Sequence, residues 1–275
     1  MFPPPFFYTS ISFFQLISHI EYGNKAMIGI VGGMGPHAGV DLVNKIFNLT
    51  KANKDQDHLP VVMQSLPHLI SDRTDFLSGN SDVNPALAIA KVINTLYNQG
   101  ADLIGISCNT AHADQIFKEI VTRIPKEVEI IHMIHEVAKY INKFFPSVKK
   151  IGVLSTTGTF VSNVYPDCLS KHNLTGIQVS KKIQMDYINP AVFSETYGIK
   201  ARSNPVSSKA INNLISGINY LDNKGAEIII MGCTEIPLAL KDNKINGKPL
   251  IDSTKILARA LILKLSPDKL IEENA

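Results

Sequence analysis

The chain has few cysteines, no long run of basic residues and no uninterrupted apolar stretch long enough to span a membrane. Each shortage excludes something. Three cysteines in 275 residues, an odd number without close spacing, argue against a disulfide framework and against a zinc site. That usage fits a reducing cytoplasm. Lys and Arg are scattered, and the formal net charge is only +3, so nucleic acid is not expected as a partner. The apolar opening of residues 1–26, with Phe6, Phe7, Ile11, Phe13, Phe14 and Leu16, is broken by Ser12, Gln15, Ser18 and His19. It is too short for a spanning helix and lacks the basic start and small-residue cleavage site of a secretory signal. No membrane partner is expected, and residues 1–26 read as an extension outside the core. What remains, 45% hydrophobic and 19% charged residues, is an ordinary globular composition able to bury a large core.

From Met27 onward short apolar runs alternate with helical periods. Strands are expected at 28–32, 61–66, 102–107, 128–133, 150–155, 176–180, 227–232 and 249–251. Helices are expected at 37–51, 85–99, 111–123, 134–145, 159–172, 205–223 and 253–265. Continuous apolar strands between helices predict an α/β fold of mostly parallel sheets flanked by helices.

Part of the sequence occurs twice. Ile93–Asn94–Thr95–Leu96–Tyr97–Asn98–Gln99–Gly100–Ala101–Asp102 runs through an apolar segment into Ser107–Cys108–Asn109–Thr110. Ile218–Asn219–Tyr220–Leu221–Asp222–Asn223–Lys224–Gly225–Ala226–Glu227 runs likewise into Gly232–Cys233–Thr234–Glu235. Each cysteine stands eight residues after the glycine of its Gly-Ala pair. We therefore expect two similar lobes, residues 27–136 plus 253–270 and residues 137–252, with a cleft at the carboxyl ends of their strands, where open α/β sheets bind ligands.

A lone free cysteine is usually a small buried hydrophobe. Two at matching strand ends beside small polar residues point to chemistry: a thiol on each side of a small molecule can remove a proton from one face and return one to the other. A turn into a helix after each strand would also favour the thiolate. Cys168, in a helical stretch with no matching copy, reads as a packing residue. Gly32–Gly33–Met34–Gly35–Pro36 follows a strand and opens a helix, so its N–H groups suit an anion. Gly33, Gly35 and Ala38 mimic a dinucleotide fingerprint with Asp55 in the acidic place, but Asp55 lies in a polar loop. The carboxylate of a small substrate is the better guest, held by Met34 and Gly35.

These motifs, with Ser107–Cys108–Asn109–Thr110–Ala111–His112, Gly232–Cys233–Thr234–Glu235–Ile236–Pro237–Leu238, Asp72–Arg73–Thr74 and Ser155–Thr156–Thr157–Gly158–Thr159, resemble the aspartate/glutamate racemase family, most nearly its aspartate branch, over about residues 27–265. The resemblance implies a cofactor-independent racemase of aspartate or a related acidic amino acid, with Cys108 and Cys233 as the acid/base pair. It implies that Arg73 and Lys200 recognise the acidic substrate and that the protein is a homodimer. Asn109, Thr110, Thr157 and Thr234 are candidates to hold the α-carboxylate and ammonium. Glu235 is a candidate to hold the ammonium or tune Cys233, and His112 is expected to be structural. His37 and Gly39 replace the acidic residue and threonine expected after the glycine loop, which bears on substrate preference. No metal is called for. The competing readings are a glutamate or broad-specificity racemase, a relative acting on hydantoins or malonates, and a two-lobed binding protein without catalysis.

Overall fold

The computed structural model describes residues 27–272, so the extension at 1–26 lies outside the described residues. β1 (Met27–Gly32), β2 (Val61–Ser65), β3 (Ala101–Ile106) and β4 (Glu129–Ile131) form a parallel sheet in the order β2-β1-β3-β4. β5 (Lys150–Ser155), β6 (Thr175–Gln178), β7 (Ile228–Gly232), β8 (Lys244–Ile245) and β9 (Lys248–Asp252) form a second sheet in the order β6-β5-β7-β9-β8. Without β8 the two orders are the same, and every pairing but β8–β9 is parallel. The repeat seen in the sequence is thus a repeat of topology. β1, β5 and β7 are buried along nearly their whole lengths, as central strands covered on both faces must be.

The two Gly-Ala pairs end equivalent helices, α1 (Ala86–Asn98) before β3 and α4 (Ser208–Asn223) before β7. Gly100 and Gly225 have φ of +97° and +83°. That left-handed turn releases the chain from the helix at little cost only for glycine, so the register of each cysteine strand starts from the same stop signal.

The helices after β4 and β9 pack across the molecule. α2 (Met133–Phe144) buries Ile134, Val137, Ala138 and Ile141 with Ile151, Val153, Tyr165 and Ile228 of the second sheet's core. α5 (Ser253–Leu265) buries Leu257, Ala258, Leu261 and Ile262 with Ile28, Ile30, Leu42 and Leu103 of the first. Gly105 in β3 makes room, since a Cβ there would lie 2.8 Å from Leu261 Cδ1. At about 1.5–3 kcal/mol for each fully buried Leu or Ile side chain, these crossings tie the two sheets into one body.

The expected elements are present, with differences that have local causes. The helix expected over 159–172 is broken into Thr157–Val161 and α3 (Val164–Lys171), because Asn163 between them adopts φ 56°. α4 starts at 208 because the Ser207 side chain accepts the Ala210 N–H at 3.1 Å, an N-cap within the expected span. The hairpin β8–β9 turns at Asn246–Gly247, both with positive φ. That Asn-Gly pair is a hairpin signal visible in the sequence and not read there. Helical turns at Lys181–Ile183, Gln184–Ile188 and Asn189–Phe193 also went unread. Among the described residues no helix is long and apolar enough to cross a membrane.

Candidate active site

Cys108 follows β3 and Cys233 follows β7, so equivalent strand ends bring both thiols to one narrow cleft between the sheets. Both are buried, 5% and 3% exposed. The cleft is small, about 20 Å³, and is also walled by Met34, Arg73, Asn109, Thr110, Thr156, Phe193, Lys200, Thr234 and Glu235. A larger cavity of about 400 Å³ opens elsewhere, along Asp41, Lys45, Tyr140, Lys241, Asp252 and Arg259. It holds no thiol, so size does not mark the chemistry here.

The helix starts expected behind the cysteines are slight. Cys108 caps a single 3₁₀ turn, Asn109–His112, and Cys233 lies two residues before Glu235, the cap of the four-residue helix Ile236–Ala239. A macrodipole needs aligned turns, so the side chains around each thiol dominate its electrostatics.

Around Cys233 they are explicit. Its Sγ–H donates to Glu235 Oε2 at 2.9 Å, and Thr234 Oγ1 donates to the same oxygen at 3.3 Å. Burial pushes the Cys233 thiol well above its usual pKa, and the Glu235 carboxylate pushes the same way, against a smaller opposing pull from Lys200. Cys233 is therefore held as a thiol. Lys200 Nζ lies 3.1 Å from Glu235 Oε1 as an ion pair off the hydrogen-bonding direction. It also donates to the Met34 carbonyl at 3.4 Å and stands over the Phe193 ring. Burial pulls the Lys200 pKa down, but the opposing pull led by the Glu235 carboxylate leaves it raised.

Arg73 opens a short helix, Arg73–Leu77, whose cap Asp72 accepts the N–H groups of Thr74 and Asp75. Its guanidinium donates to the Met34 carbonyl at 3.0 Å and the Ser71 carbonyl at 3.1 Å, while buried Nε has no partner. The Met34 carbonyl thus fixes both cations, Arg73 and Lys200, beside the glycine loop. Gly35 backs the same corner: a Cβ there would lie 2.8 Å from Glu235 Oε1.

Around Cys108 the polar groups are hydroxyls and one amide. Thr110 Oγ1 lies 3.1 Å from Thr156 Oγ1 and 2.9 Å from Thr159 Oγ1. Both ends of the Asn109 amide are occupied within the protein: Tyr165 Oη donates to its Oδ1 at 2.6 Å, and its Nδ2 donates to Ser253 Oγ at 3.2 Å. Asn109 therefore braces the loop, and it also lines the cleft, with one amide N–H not used in these bonds. Thr157 is not on the cleft wall; it opens the helix Thr157–Val161 and donates to Asn189 Oδ1 at 2.8 Å. Thr156, one residue earlier in extended backbone, faces the cleft instead. His112 Nδ1 meets the Cys108 carbonyl at 2.9 Å. A carbonyl only accepts, so Nδ1 carries the proton, and burial holds the ring neutral with a pKa of about 4.

Sequence reasoning missed Thr156, Phe193, Tyr165 and Ser253. Thr156 lay inside a motif already noted, one position from the residue chosen. Tyr165 and Ser253 carried no local signal, since each meets Asn109 only through the fold.

A family model described as Asp/Glu/hydantoin racemase matches residues 31–261. The chain is similar to the broad specificity amino-acid racemase RacX of Bacillus subtilis (strain 168), 28% identical over 242 residues that cover 86% of this chain and 96% of that one. Among solved structures it is similar to the Picrophilus torridus aspartate racemase, with a TM-score of 0.72 and 30% identity over 90% of this chain and 96% of that one. A glutamate racemase from Francisella tularensis subsp. tularensis SCHU S4, in complex with D-glutamate, has a TM-score of 0.62 and 19% identity over 91% of this chain and 85% of its own. At that identity the likeness is one of fold alone.

Proposed function

Because the chain belongs to the Asp/Glu/hydantoin racemase family, we propose that it interconverts L- and D-aspartate without pyridoxal phosphate, by proton transfer between Cys108 and Cys233. The observation that carries this reading is the pair of buried thiols on one cleft, one of them bonded to a carboxylate. The α-proton of an amino acid is a very weak acid. Its removal needs a base held against the C–H bond, a second acid on the opposite face, and donors around the carboxylate where charge develops.

Cys233 enters as the acid, because Glu235 holds its proton. Cys108 in its thiolate form then takes the α-proton, charge spreads onto the substrate carboxylate, and the Cys233 thiol protonates the other face. Turnover leaves Cys108 as the thiol and Cys233 as the thiolate, the state from which the reverse reaction starts with the roles exchanged. Two thiolates in one dry cleft would repel, so the pair titrates as a unit. Thr110, Thr156 and Thr234 are the hydroxyls available to the substrate's α-carboxylate and ammonium. Arg73 and Lys200 are the cations available to the second carboxylate, and the unpartnered Arg73 Nε is a donor to spare. A planar guanidinium suits that two-point grip.

One observation favours a second reading. Lys200 is already paired with Glu235, so an uncharged side chain need not leave that cation bare, and one relative of similar length is a broad-specificity racemase. Incubation with each L-amino acid in deuterated water separates the readings. Aspartate racemisation with α-deuterium incorporation supports the first, equal turnover of neutral amino acids supports the second, and aspartate binding without exchange would make the protein a binder and overturn both.

A further inference from the structure

Away from the cleft, the third cysteine sits among histidines. Cys168 lies in α3, and His172 caps that helix one turn later. His135 comes from the first turn of α2, which packs against α3. Cys168 Sγ is 3.3 Å from His135 Nδ1, and His135 Nδ1 is 3.4 Å from His172 Nε2. The three donor atoms all lie within 4.8 Å of one another. Thirty-three residues separate His135 from Cys168, which is why no ligand spacing shows in the sequence.

These distances match a specific geometry. Tetrahedral zinc with Zn–S of about 2.3 Å and Zn–N of about 2.0–2.1 Å places sulfur and nitrogen ligands about 3.6 Å apart and two nitrogens about 3.3 Å apart. Two of the three separations are already within a few tenths of an ångström of those values, and rotation of the His172 ring adjusts the third. One sulfur and two imidazoles form a borderline-soft donor set, suited to zinc or cobalt and unsuited to magnesium or calcium. We propose that His135, Cys168 and His172 form a binding site for one zinc-like divalent cation, with the fourth position open to solvent.

The surroundings suit loading on contact with the metal. Cys168 is buried, while His135 and His172 are half-buried and give the ion a path from solvent. Binding forms the sulfur–metal bond as the S–H bond breaks, and the proton leaves to solvent. The bound ion would staple α2, the helix that crosses from the first sheet, to α3 of the second. The His135 backbone N–H also donates to His132 Nδ1 at 3.4 Å, and the His132 ring is 4.8 Å from that of His112, which holds the Cys108 carbonyl.

The chain has three cysteines, which makes a clean test possible. In the full chain carrying Cys108→Ala and Cys233→Ala, Cys168 is the one thiol left. Titration with Co²⁺ is then read by thiolate-to-cobalt charge-transfer absorption. The expected result is a band that saturates at one Co²⁺ per chain and is displaced by Zn²⁺, with His135→Ala and His172→Ala each weakening binding at least about tenfold. Saturating Co²⁺ without a thiolate band, or a band that neither histidine substitution weakens, overturns the site. Should the doubly substituted chain not fold, equilibrium dialysis of the unaltered chain against Zn²⁺ is compared with Cys168→Ser. Loss of one bound zinc per chain supports the site, and no loss overturns it.

Discussion

Replacing Glu235 with Gln keeps the size of the side chain and removes its charge, so it isolates what the carboxylate does for Cys233. In the native cleft Oε2 accepts the Cys233 thiol at 2.9 Å and Oε1 faces Lys200 at 3.1 Å, with the carboxylate only 6% exposed. A hydrogen bond to a charged group contributes roughly 1.5–3 kcal/mol. If that bond sets the protonation of Cys233 for turnover, Glu235→Gln should lower kcat/KM about 10- to 150-fold. The two enantiomers have equal free energy in solution, so kcat/KM must fall equally in both directions, and any asymmetry must appear in kcat, KM or solvent-deuterium exchange. A second consequence has the opposite sign. Without the carboxylate the Cys233 thiolate is less disfavoured, and the pH profile of its alkylation should move toward lower pH. Racemisation is followed by chiral chromatography from each enantiomer, and alkylation of Cys233 by mass spectrometry. A kcat/KM within about twofold of the native value, with an unmoved alkylation profile, would refute this role for Glu235.

Cys108→Ala and Cys233→Ala should each abolish racemisation, while each keeps solvent exchange with one enantiomer only; near-normal turnover in either would sink the two-thiol mechanism, and Cys168→Ala, outside the cleft, should retain activity. Arg73→Ala and Lys200→Ala should each cost roughly 2–4 kcal/mol in kcat/KM for aspartate and much less for any neutral substrate; equal losses would assign these residues to the α-carboxylate or to folding. Gly35→Ala puts a Cβ 2.8 Å from Glu235 Oε1, so it should move that carboxylate and depress kcat while leaving the thermal midpoint nearly unchanged; unchanged kinetics would mean the corner yields freely. His112 is neutral in the fold, with a pKa lowered from 6.5 to about 4 by burial, so the unfolded chain binds the extra proton first as pH falls. Stability should therefore drop between pH 6.5 and 4, by about 3 kcal/mol from this group, and urea unfolding of His112→Gln should show a shallower slope.

The repeated Gly-Ala stop, the apolar strand and the cysteine at its end are local signals, and by themselves they pointed to parallel α/β sheets and to Cys108 and Cys233 at equivalent strand ends. Strand–helix alternation and a glycine's freedom at positive φ act over a few residues, so a single sequence displays them. The equivalence of β3 and β7 followed from the same signals. What surrounds each thiol was decided only by tertiary structure. Whether Thr156 or Thr157 faces the cleft depends on where one short helix begins. Asn109 is braced by Tyr165 and Ser253, residues 56 and 144 positions away. Cys168 meets His135 only because α2 crosses to the second sheet. Side-chain chemistry at a buried site is set by contacts across the chain, and distance along the sequence carries no information about them.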